Sequence, residues 1–205
     1  MAKTDGVWAD KAAARAHFLH LRQGLADAHR ADAESRVQAR LVQMMKDMYG
    51  PHSVPRVAGF YAAVRGELDV TPAAAAWRRM GGISAYPRVC GKRQMQFLSV
   101  AGEDELQPGR FGILEPPPTA PEVAPADLAI IVVPALAYSQ AGWRLGYGGG
   151  FYDTFFAQPA VRAVRIGVAF SEMVVETPQW LVDPFDEPVD FVITEEEVIV
   201  CSQRR

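Results

Sequence analysis

A glycine-rich segment, RLGYGGGFYD at residues 144–153, is the stretch of this sequence that points most directly to chemistry. Four glycines fall within residues 146–150, immediately before a helical pattern. Glycine lets the backbone take positive φ and brings its N–H groups close to a ligand. Successive N–H groups followed by a helix N-terminus form a concave anion site. The segment is therefore predicted to bind phosphate, with Arg144 adding positive charge at its rim.

Other interpretations of the same glycines are open. A tight turn without a ligand needs the same residue type. The Walker A pattern GxxxxGK[ST] does not occur in the sequence, and a Rossmann site requires its glycine turn directly after a strand. Here residues 134–143 intervene, although Glu172 follows the next predicted strand about where a ribose-binding acid would stand. A phosphate site of another type is favoured.

Carboxylates follow the glycines and recur near the end of the chain. Asp153 comes directly after the segment, and Asp183, Asp186, Glu187 and Asp190 lie within DPFDEPVD, whose prolines favour a loop. Mg²⁺ prefers hard oxygen ligands, commonly one or two carboxylates with phosphate and water. Asp153 also fits the first turn of a helix, where the helix dipole stabilises a carboxylate that has no function. Asp190 suits a structural role and direct coordination of Mg²⁺ about equally well.

Basic residues on the first predicted helix are further candidates, together with one glutamate. Lys11, Arg15 and Arg22 fall in one band beside the apolar stripe, from which their charged ends can reach a common site. A solvated basic edge gives the same pattern. Glu67 lies in RGELDV just past a predicted strand end, where loops commonly carry binding residues.

The elements that must position these residues alternate between helices and strands. Apolar residues at Ala14, Phe18, Leu21 and Leu25 predict an amphipathic helix over residues 11–28. The run LAIIVVPAL at residues 128–136 is nearly all apolar, which is typical of a central parallel strand covered on both faces. Further helices are predicted over residues 32–49, 71–80 and 151–157, and further strands over 56–61, 83–86, 95–100, 164–170 and 189–194.

Residues that end or cap helices set several of the predicted element limits. Gly50 and Pro51 should end the second helix, and Thr71 before Pro72 should cap the third. Residues 115–125 contain five prolines and are predicted to be an extended connector. The fold class that follows is α/β, with residues 1–10 as an N-terminal extension. Residues 11–205 should form a single domain built on a mostly parallel, doubly wound sheet with helices on both faces.

Composition narrows the classes of function. A chain of 205 residues with net charge −3 and no dense Lys/Arg block is not expected to bind nucleic acid. Cys90 and Cys201 predict free thiols in a reducing compartment. No export signal and no membrane span are expected, so the prediction is a cytoplasmic protein, most simply a monomer. The four histidines (His17, His20, His29 and His52) do not complete a zinc set.

At residues 133–153, the run VPALAYSQAGWRLGYGGGFYD resembles the signature of the 5-formyltetrahydrofolate cyclo-ligase family, whose RLGYGGGYYD loop binds ATP. Further matches are KAAAR, FYAAVRGELDV, YPRV with Lys92, FGILEP and DPFDEPVDFVITE, so the similarity extends over about residues 11–195. The resemblance implies conversion of 5-formyltetrahydrofolate to 5,10-methenyltetrahydrofolate through a phosphorylated formyl oxygen. ATP would be the co-substrate, Mg²⁺ the cofactor, and ADP and phosphate the other products.

The same resemblance implies roles for individual residues. Lys11 and Arg144 would act in catalysis, Asp153 and Asp186 would bind magnesium, and the Glu67 carboxylate would accept both adjacent N–H groups of the pterin. ATP contacts are implied at Lys11, Ala12, Ala13, Ala14, Arg15, Arg144, Leu145, Gly146, Tyr147, Gly148, Gly149, Gly150, Phe151 and Tyr152. Folate contacts are implied at Ala62, Glu67, Tyr147, Gly148, Gly149, Gly150 and Phe151.

Two departures from the family pattern keep other functions open. Phe151 stands where the family usually has tyrosine, and Phe185 stands where histidine is common before Asp186. The alternatives are an ATP-binding paralogue of another pathway, such as thiamine metabolism, and a nucleotide-binding module without catalysis. A nicotinamide oxidoreductase ranks below both because of the glycine spacing.

Overall fold

The computed structural model describes Trp8, residues 10–49 and residues 56–201. The predicted helix stop at Gly50 and Pro51, the histidine at position 52 and most of the predicted extension lie outside the described residues. Helices are α1 Lys11–Gln23, α2 Asp27–Met48, α3 Thr71–Arg79 and α4 Phe151–Phe156. Strands are β1 Val57–Gly59, β2 Ile83–Gly91, β3 Gln94–Val100, β4 Gln107–Pro108, β5 Leu114–Glu115, β6 Glu122–Val123, β7 Leu128–Val133, β8 Ala137–Ser139, β9 Arg144–Leu145, β10 Val164–Val168, β11 Val174–Val175, β12 Phe191–Ile193 and β13 Val198–Val200.

The main sheet has eight strands in the order β13-β12-β10-β7-β1-β2-β3-β6. Strands β12, β10, β7, β1 and β2 are parallel to one another, whereas β13, β3 and β6 join antiparallel. Numbered along the chain, the parallel strands follow the order 2-1-3-4-5 of a doubly wound sheet. The predicted fold class is confirmed.

Helices cover both faces of this sheet. Arg78 of α3 donates to the Ser84 hydroxyl of β2 at 2.9 Å, and α2 packs on α3, so these helices share one face. Pro87 points to the opposite face from Ser84 because side chains alternate along a strand. It pairs with Phe97 of β3, whose ring centroid lies 5.2 Å from that of Phe155 in α4. Helix α4 therefore packs on the other face.

Strand β7 is the central strand, as its apolar run predicted. It lies between β1 and β10, and its last four residues, Ile130, Ile131, Val132 and Val133, are fully buried. The strand ends there, before Pro134, although the apolar run continues to residue 136. The chain then turns into β8 and β9, which pair with β11 in a small three-stranded sheet beside the glycine segment.

The first two helices differ from their predicted limits. Helix α1 ends at Gln23, where the Gly24 N–H donates to the His20 carbonyl at 3.0 Å, and α2 begins at Asp27 rather than at residue 32. The predicted apolar stripe is also wrong at one position, because Leu21 is 37% exposed and Arg22 only 3%. The reason is that this turn of α1 meets polar backbone and a tyrosine hydroxyl instead of the apolar sheet.

Other corrections concern caps and short strands. Val70, not Thr71, is the N-cap residue of α3, and the Thr71 N–H donates to the Asp69 carboxylate at 2.9 Å. The predicted connector contains β6, which pairs with β3 at the edge of the sheet. Prolines are tolerated next to an edge strand because one side of the strand carries no ladder. The strand predicted over residues 189–194 is restricted to β12.

Two composition-based predictions bear on the described residues. Cys90 is exposed, Cys201 is buried, and both thiols are free, as expected. No described helix combines the length and apolar character needed to cross a membrane. Within the predicted N-terminal extension, the Trp8 N–H donates to the Gln179 carbonyl at 2.6 Å, so this residue contacts the body of the domain.

Candidate functional site

The candidate site lies at the carboxyl ends of β1, β7 and β10. In an open doubly wound sheet, ligands bind in the crevice where the strand order reverses, which here is between β1 and β7. A small pocket at this edge is lined by residues that follow these strands, joined by a side chain from α1. Its lining is Arg22, Tyr61, Glu67, Leu68, Ala135, Leu136, Val168, Ala169, Phe170 and Met173.

The glycine loop at residues 146–150 forms one wall of the site. Gly148 and Gly150 have φ angles of 93° and 68°, and the latter is the N-cap residue of α4. These left-handed conformations require the glycines that the sequence supplies. Within the described part of the chain, no backbone N–H of residues 146–150 donates to another protein group. The loop thus retains the unsatisfied amides that an anion site needs.

Two cations of α1 lie at this edge of the sheet. Arg15 donates from Nε to the Gly146 carbonyl at 2.8 Å, and its guanidinium lies 3.2 Å from where a Cβ on Gly148 would stand. Lys11 donates to one carboxylate oxygen of Asp183 at 2.6 Å and of Asp186 at 2.8 Å. Burial opposes the charge on Lys11, but these two carboxylates outweigh it and raise its pKa. Arg15 therefore contacts the glycine loop, and Lys11 contacts the acidic loop.

The acidic loop also meets α4. Arg144, whose side chain is 6% exposed, forms an ion pair with Asp153 in the first turn of that helix. The Glu187 N–H donates to the same carboxylate oxygen at 3.1 Å. This contact brings the loop that carries Asp186 beside Asp153, as a shared metal site requires. Asp190 accepts instead from the Arg165 N–H at 2.7 Å and ties β10 to the chain before β12, which favours its structural role.

Glu67 is the buried carboxylate of the pocket, with 7% exposure. It accepts from the Val64 N–H at 3.0 Å and from the Tyr147 hydroxyl. Burial raises the pKa of Glu67, and the hydrogen bond from Val64 and the charge of Arg22 offset this only in part. Burial and the adjacent glutamate raise the pKa of Tyr147 to about 12. Both groups are held in place by specific partners.

The remaining predicted contact residues differ in accessibility. Ala14 and Leu145 are buried in the core, so their side chains are turned away from the loop. Ala12, Ala13 and Gly149 are exposed, and Ala62, Phe151 and Tyr152 are half-buried. Phe185, where the family commonly has histidine, is 85% exposed.

Sequence reasoning missed several residues at this edge. Phe111 is 73% exposed and lies with its ring centroid 6.2 Å from that of Phe151. Its left-handed φ of 61° is unusual for an aromatic residue and was not readable from composition. His29, Glu172 and Glu195 come from three separate elements, and their ligand atoms lie within 4.8 Å of one another. No spacing in the sequence indicates that group, in which His29 Nε2 lies 2.9 Å from Glu172 Oε1.

The strand order and the glycine loop define the class: a doubly wound α/β protein with a glycine loop at the carboxyl edge of its sheet. Comparison with known proteins then gives the particular family. The model of the 5-formyltetrahydrofolate cyclo-ligase family matches residues 7–195. The chain therefore belongs to that family, as the sequence motifs predicted.

Individual relatives agree with the family match. A protein of Mycoplasma pneumoniae named 5-formyltetrahydrofolate cyclo-ligase is 21% identical over 188 residues, which cover 91% of this chain and 99% of that relative. The mitochondrial 5-formyltetrahydrofolate cyclo-ligase of Arabidopsis thaliana is 29% identical over 126 residues, covering 54% of this chain and only 46% of the plant protein. The solved structure of Aquifex aeolicus 5,10-methenyltetrahydrofolate synthetase has TM-score 0.75 and 30% identity, covering 95% of this chain and 94% of its own.

Proposed function

We propose that this chain catalyses the ATP-dependent conversion of 5-formyltetrahydrofolate to 5,10-methenyltetrahydrofolate, with release of ADP and phosphate. The observation that carries this proposal is the position of Glu67 in a pocket next to the glycine loop, at one edge of the sheet. The loop suits a nucleotide phosphate, and the carboxylate suits the adjacent N–H groups of a pterin. Family membership supports the pairing of these two ligands.

The proposed reaction has two balanced steps. The formyl oxygen attacks the γ-phosphorus of ATP, the bond from phosphorus to its bridging oxygen breaks, and ADP leaves. N10 then attacks the formyl carbon and loses its proton, and the carbon–oxygen bond breaks with phosphate as the leaving group. An amide oxygen leaves poorly, whereas phosphate leaves well. Because such transfers depend on positioning and electrostatics, no side-chain nucleophile is needed.

Three cations are proposed to stabilise charge on the transferring phosphoryl group. Arg15 contacts the glycine loop, Arg144 precedes it and is held by Asp153, and Lys11 is held by Asp186. Preorganised positive groups of this kind need little rearrangement as the charge develops. Lys11 and Arg144 are therefore proposed as the catalytic pair.

Asp153 and Asp186 are proposed to hold Mg²⁺. Asp153 makes both of its contacts through Oδ1, and Asp186 makes both through Oδ2, so the second oxygen of each carboxylate can coordinate a cation. Carboxylates, phosphate and water are the donor set that Mg²⁺ prefers. Bound there, the ion would neutralise negative charge on the terminal phosphates of ATP.

The folate is proposed to lie between Glu67 and the aromatic residues at the loop. Phe151 and the exposed Phe111 offer an apolar surface to its rings. Only the half-buried ring of Phe151 is available where the family usually presents a tyrosine. The missing hydroxyl removes one hydrogen bond and leaves the apolar contact in place.

The cellular setting is proposed from composition. A net charge of −3 without a basic block argues against a nucleic-acid partner, and free cysteines suit the reducing cytoplasm. The proposed working form is a cytoplasmic monomer acting on ATP and 5-formyltetrahydrofolate. Gel filtration with light scattering would test the monomer.

The direct test is to mix the protein with ATP, Mg²⁺ and 5-formyltetrahydrofolate and follow the methenyl chromophore. We expect turnover that stops when ATP is omitted. Glu67→Gln should raise the KM for folate at least about tenfold, because the pterin loses a charged acceptor, and should change the KM for ATP by less than about threefold.

Glu103→Gln is the matched control. Glu103 is a carboxylate of the same domain that bonds Arg78 and Tyr86 away from the pocket, so its loss should leave the KM for folate unchanged. Absence of the chromophore with all components present, or equal turnover without ATP, would overturn the proposed function.

A further inference from the structure

Arg22 is buried on the face of α1 that meets the candidate site, although arginine is seldom buried. It donates from Nη1 to the Ala135 carbonyl at 3.1 Å, just after β7, and from Nη2 to the Tyr147 hydroxyl in the glycine loop. Its guanidinium carbon lies 5.9 Å from the centroid of the Tyr147 ring. One side chain thus joins a helix, the end of the central strand and the loop.

The chain of contacts continues to the pocket carboxylate. The Tyr147 hydroxyl accepts from Arg22 and donates to Glu67, which also accepts from the Val64 N–H at 3.0 Å. Arg22 and Glu67 both line the pocket at the carboxyl edge. The two opposite charges are therefore linked through one hydroxyl, inside a site where neither is solvated.

We propose that Arg22 is a positioning residue for folate: through Tyr147 it fixes the Glu67 carboxylate and balances its negative charge, so that the carboxylate faces the pterin N–H groups. This inference rests on the proposed function and adds a residue to which the site motifs gave no role. A carboxylate that accepts two N–H groups must be both ionised and correctly oriented. Arg22 supplies the positive charge that favours ionised Glu67 and, through the Tyr147 hydroxyl, the contact that orients the carboxylate.

The charges around Glu67 show why Arg22 matters. Burial raises its pKa, and the groups that lower it are the Val64 N–H, Arg22, the Tyr147 hydroxyl and Arg65. The other titratable groups that face it are Tyr61, Tyr138 and Tyr152, which carry no positive charge. Arg65 is exposed and its charge is screened by solvent. Without Arg22, Glu67 would bind a proton at higher pH.

The test compares Arg22→Met with the wild type across about pH 6 to about pH 9. We expect the KM for 5-formyltetrahydrofolate to rise about tenfold and its pH dependence to shift towards higher pH, because Glu67 keeps its proton to a higher pH without Arg22. The KM for ATP should change less than about threefold, since Arg15 and the loop amides are retained. Arg22→Lys keeps a charge and should restore part of the folate affinity.

Arg40→Met is the matched control. Arg40 also donates to backbone carbonyls, of Glu195 at 3.0 Å and Glu196 at 2.7 Å. Like that of Arg22, its Nε is buried without a partner among the described residues. It belongs to α2 and does not line the pocket. Arg40→Met should therefore lower stability without changing the pH profile of the folate KM.

If Arg22→Met does not fold, Tyr147→Phe provides the same test, because it removes the linking hydroxyl and keeps the ring. It should shift the folate KM profile to higher pH in the same way. A profile that parallels the wild type in whichever variant folds, or an equal shift in Arg40→Met, would overturn the role of Arg22. Failure of the wild type to form the methenyl product would instead count against the proposed function, and calorimetric binding of 5-formyltetrahydrofolate then supplies the pH comparison.

Discussion

Gly148 and Gly81 have nearly the same backbone conformation in different surroundings. Their φ angles are 93° and 87°, where residues with a side chain are strained. A Cβ on Gly148 would lie 3.2 Å from the Arg15 guanidinium, whereas a Cβ on Gly81 would meet no heavy atom within 4 Å. Alanine therefore brings similar backbone strain at both positions, but it displaces a neighbour only in the loop.

We predict that Gly148→Ala raises the KM for ATP about tenfold, because it strains the loop and pushes Arg15 away. Gly81→Ala should leave the KM for ATP within about twofold. Both variants should lower the free energy of unfolding, by about 1–3 kcal/mol. ATP titrations and urea unfolding measure the two quantities, and equal effects of both variants on the ATP KM would contradict a phosphate role for the loop.

Residue type predicted some members of the site better than others. The glycine loop was recognisable because dense glycine runs have few uses, whereas Lys11 and Arg15 stood out only through the family resemblance, since basic residues at that spacing are commonplace. Arg22 was placed in the same band, but its burial was not predictable. A hydrophobic pattern assigns arginine to solvent, whereas here its partners come from residues 113 and 125 positions away.

At the scale of elements, the packing of α1 determines where three of the site's cations stand. Phe18 is 2% exposed and its ring centroid lies 6.0 Å from that of Trp180. Leu21, which belongs to the same sequence stripe, is 37% exposed. The structure thus separates two residues that helical periodicity treats as equivalent.

We predict that Phe18→Ala lowers the free energy of unfolding by about 3–5 kcal/mol, because it opens a cavity under α1. It should also weaken ATP binding, since Lys11 and Arg15 lose their support. Leu21→Ala should cost less than about 1 kcal/mol. Urea unfolding followed by circular dichroism checks both values, and equal losses would mean that the sequence stripe, not the observed packing, describes the helix.

Elements were predictable where their signal is local. Strand β7 was predictable because its run of apolar residues is unbroken, as burial on both faces requires. Strands β6, β8 and β9 have only two or three residues each, too few to show a period. Strand β6 pairs with β3 and β8 with the distant β11, while β9 pairs with β8 across a short turn. The helix end at Gly24 was missed although glycine disfavours a helix interior, because the predicted apolar spacing continues to Leu25.

For the molecule as a whole, two glutamates affect stability in opposite directions. Burial dominates at Glu67 and raises its pKa, so its ionised form costs stability. Burial also acts on Glu103, but hydrogen bonds from Arg78 and Tyr86 outweigh it and lower the pKa. Its ionised form therefore stabilises the fold. The first carboxylate lies in the candidate pocket and the second between α3 and β2, as expected if a site is kept at some cost in stability.

The two pKa shifts give opposite pH dependences. The cost of Glu67 is absent in acid, appears above the pKa of the unfolded chain and is complete once the pH passes its raised folded pKa. The contribution of Glu103 is present at neutral pH and is lost as the pH falls through its lowered folded pKa. At about pH 7.5, Glu67→Gln should therefore raise the free energy of unfolding and Glu103→Gln should lower it, and both differences should shrink towards about pH 3. Urea unfolding at the two pH values checks this. If Glu67→Gln lowers the free energy of unfolding at both pH values, the glutamate supports the fold, and its burial in the pocket does not cost stability.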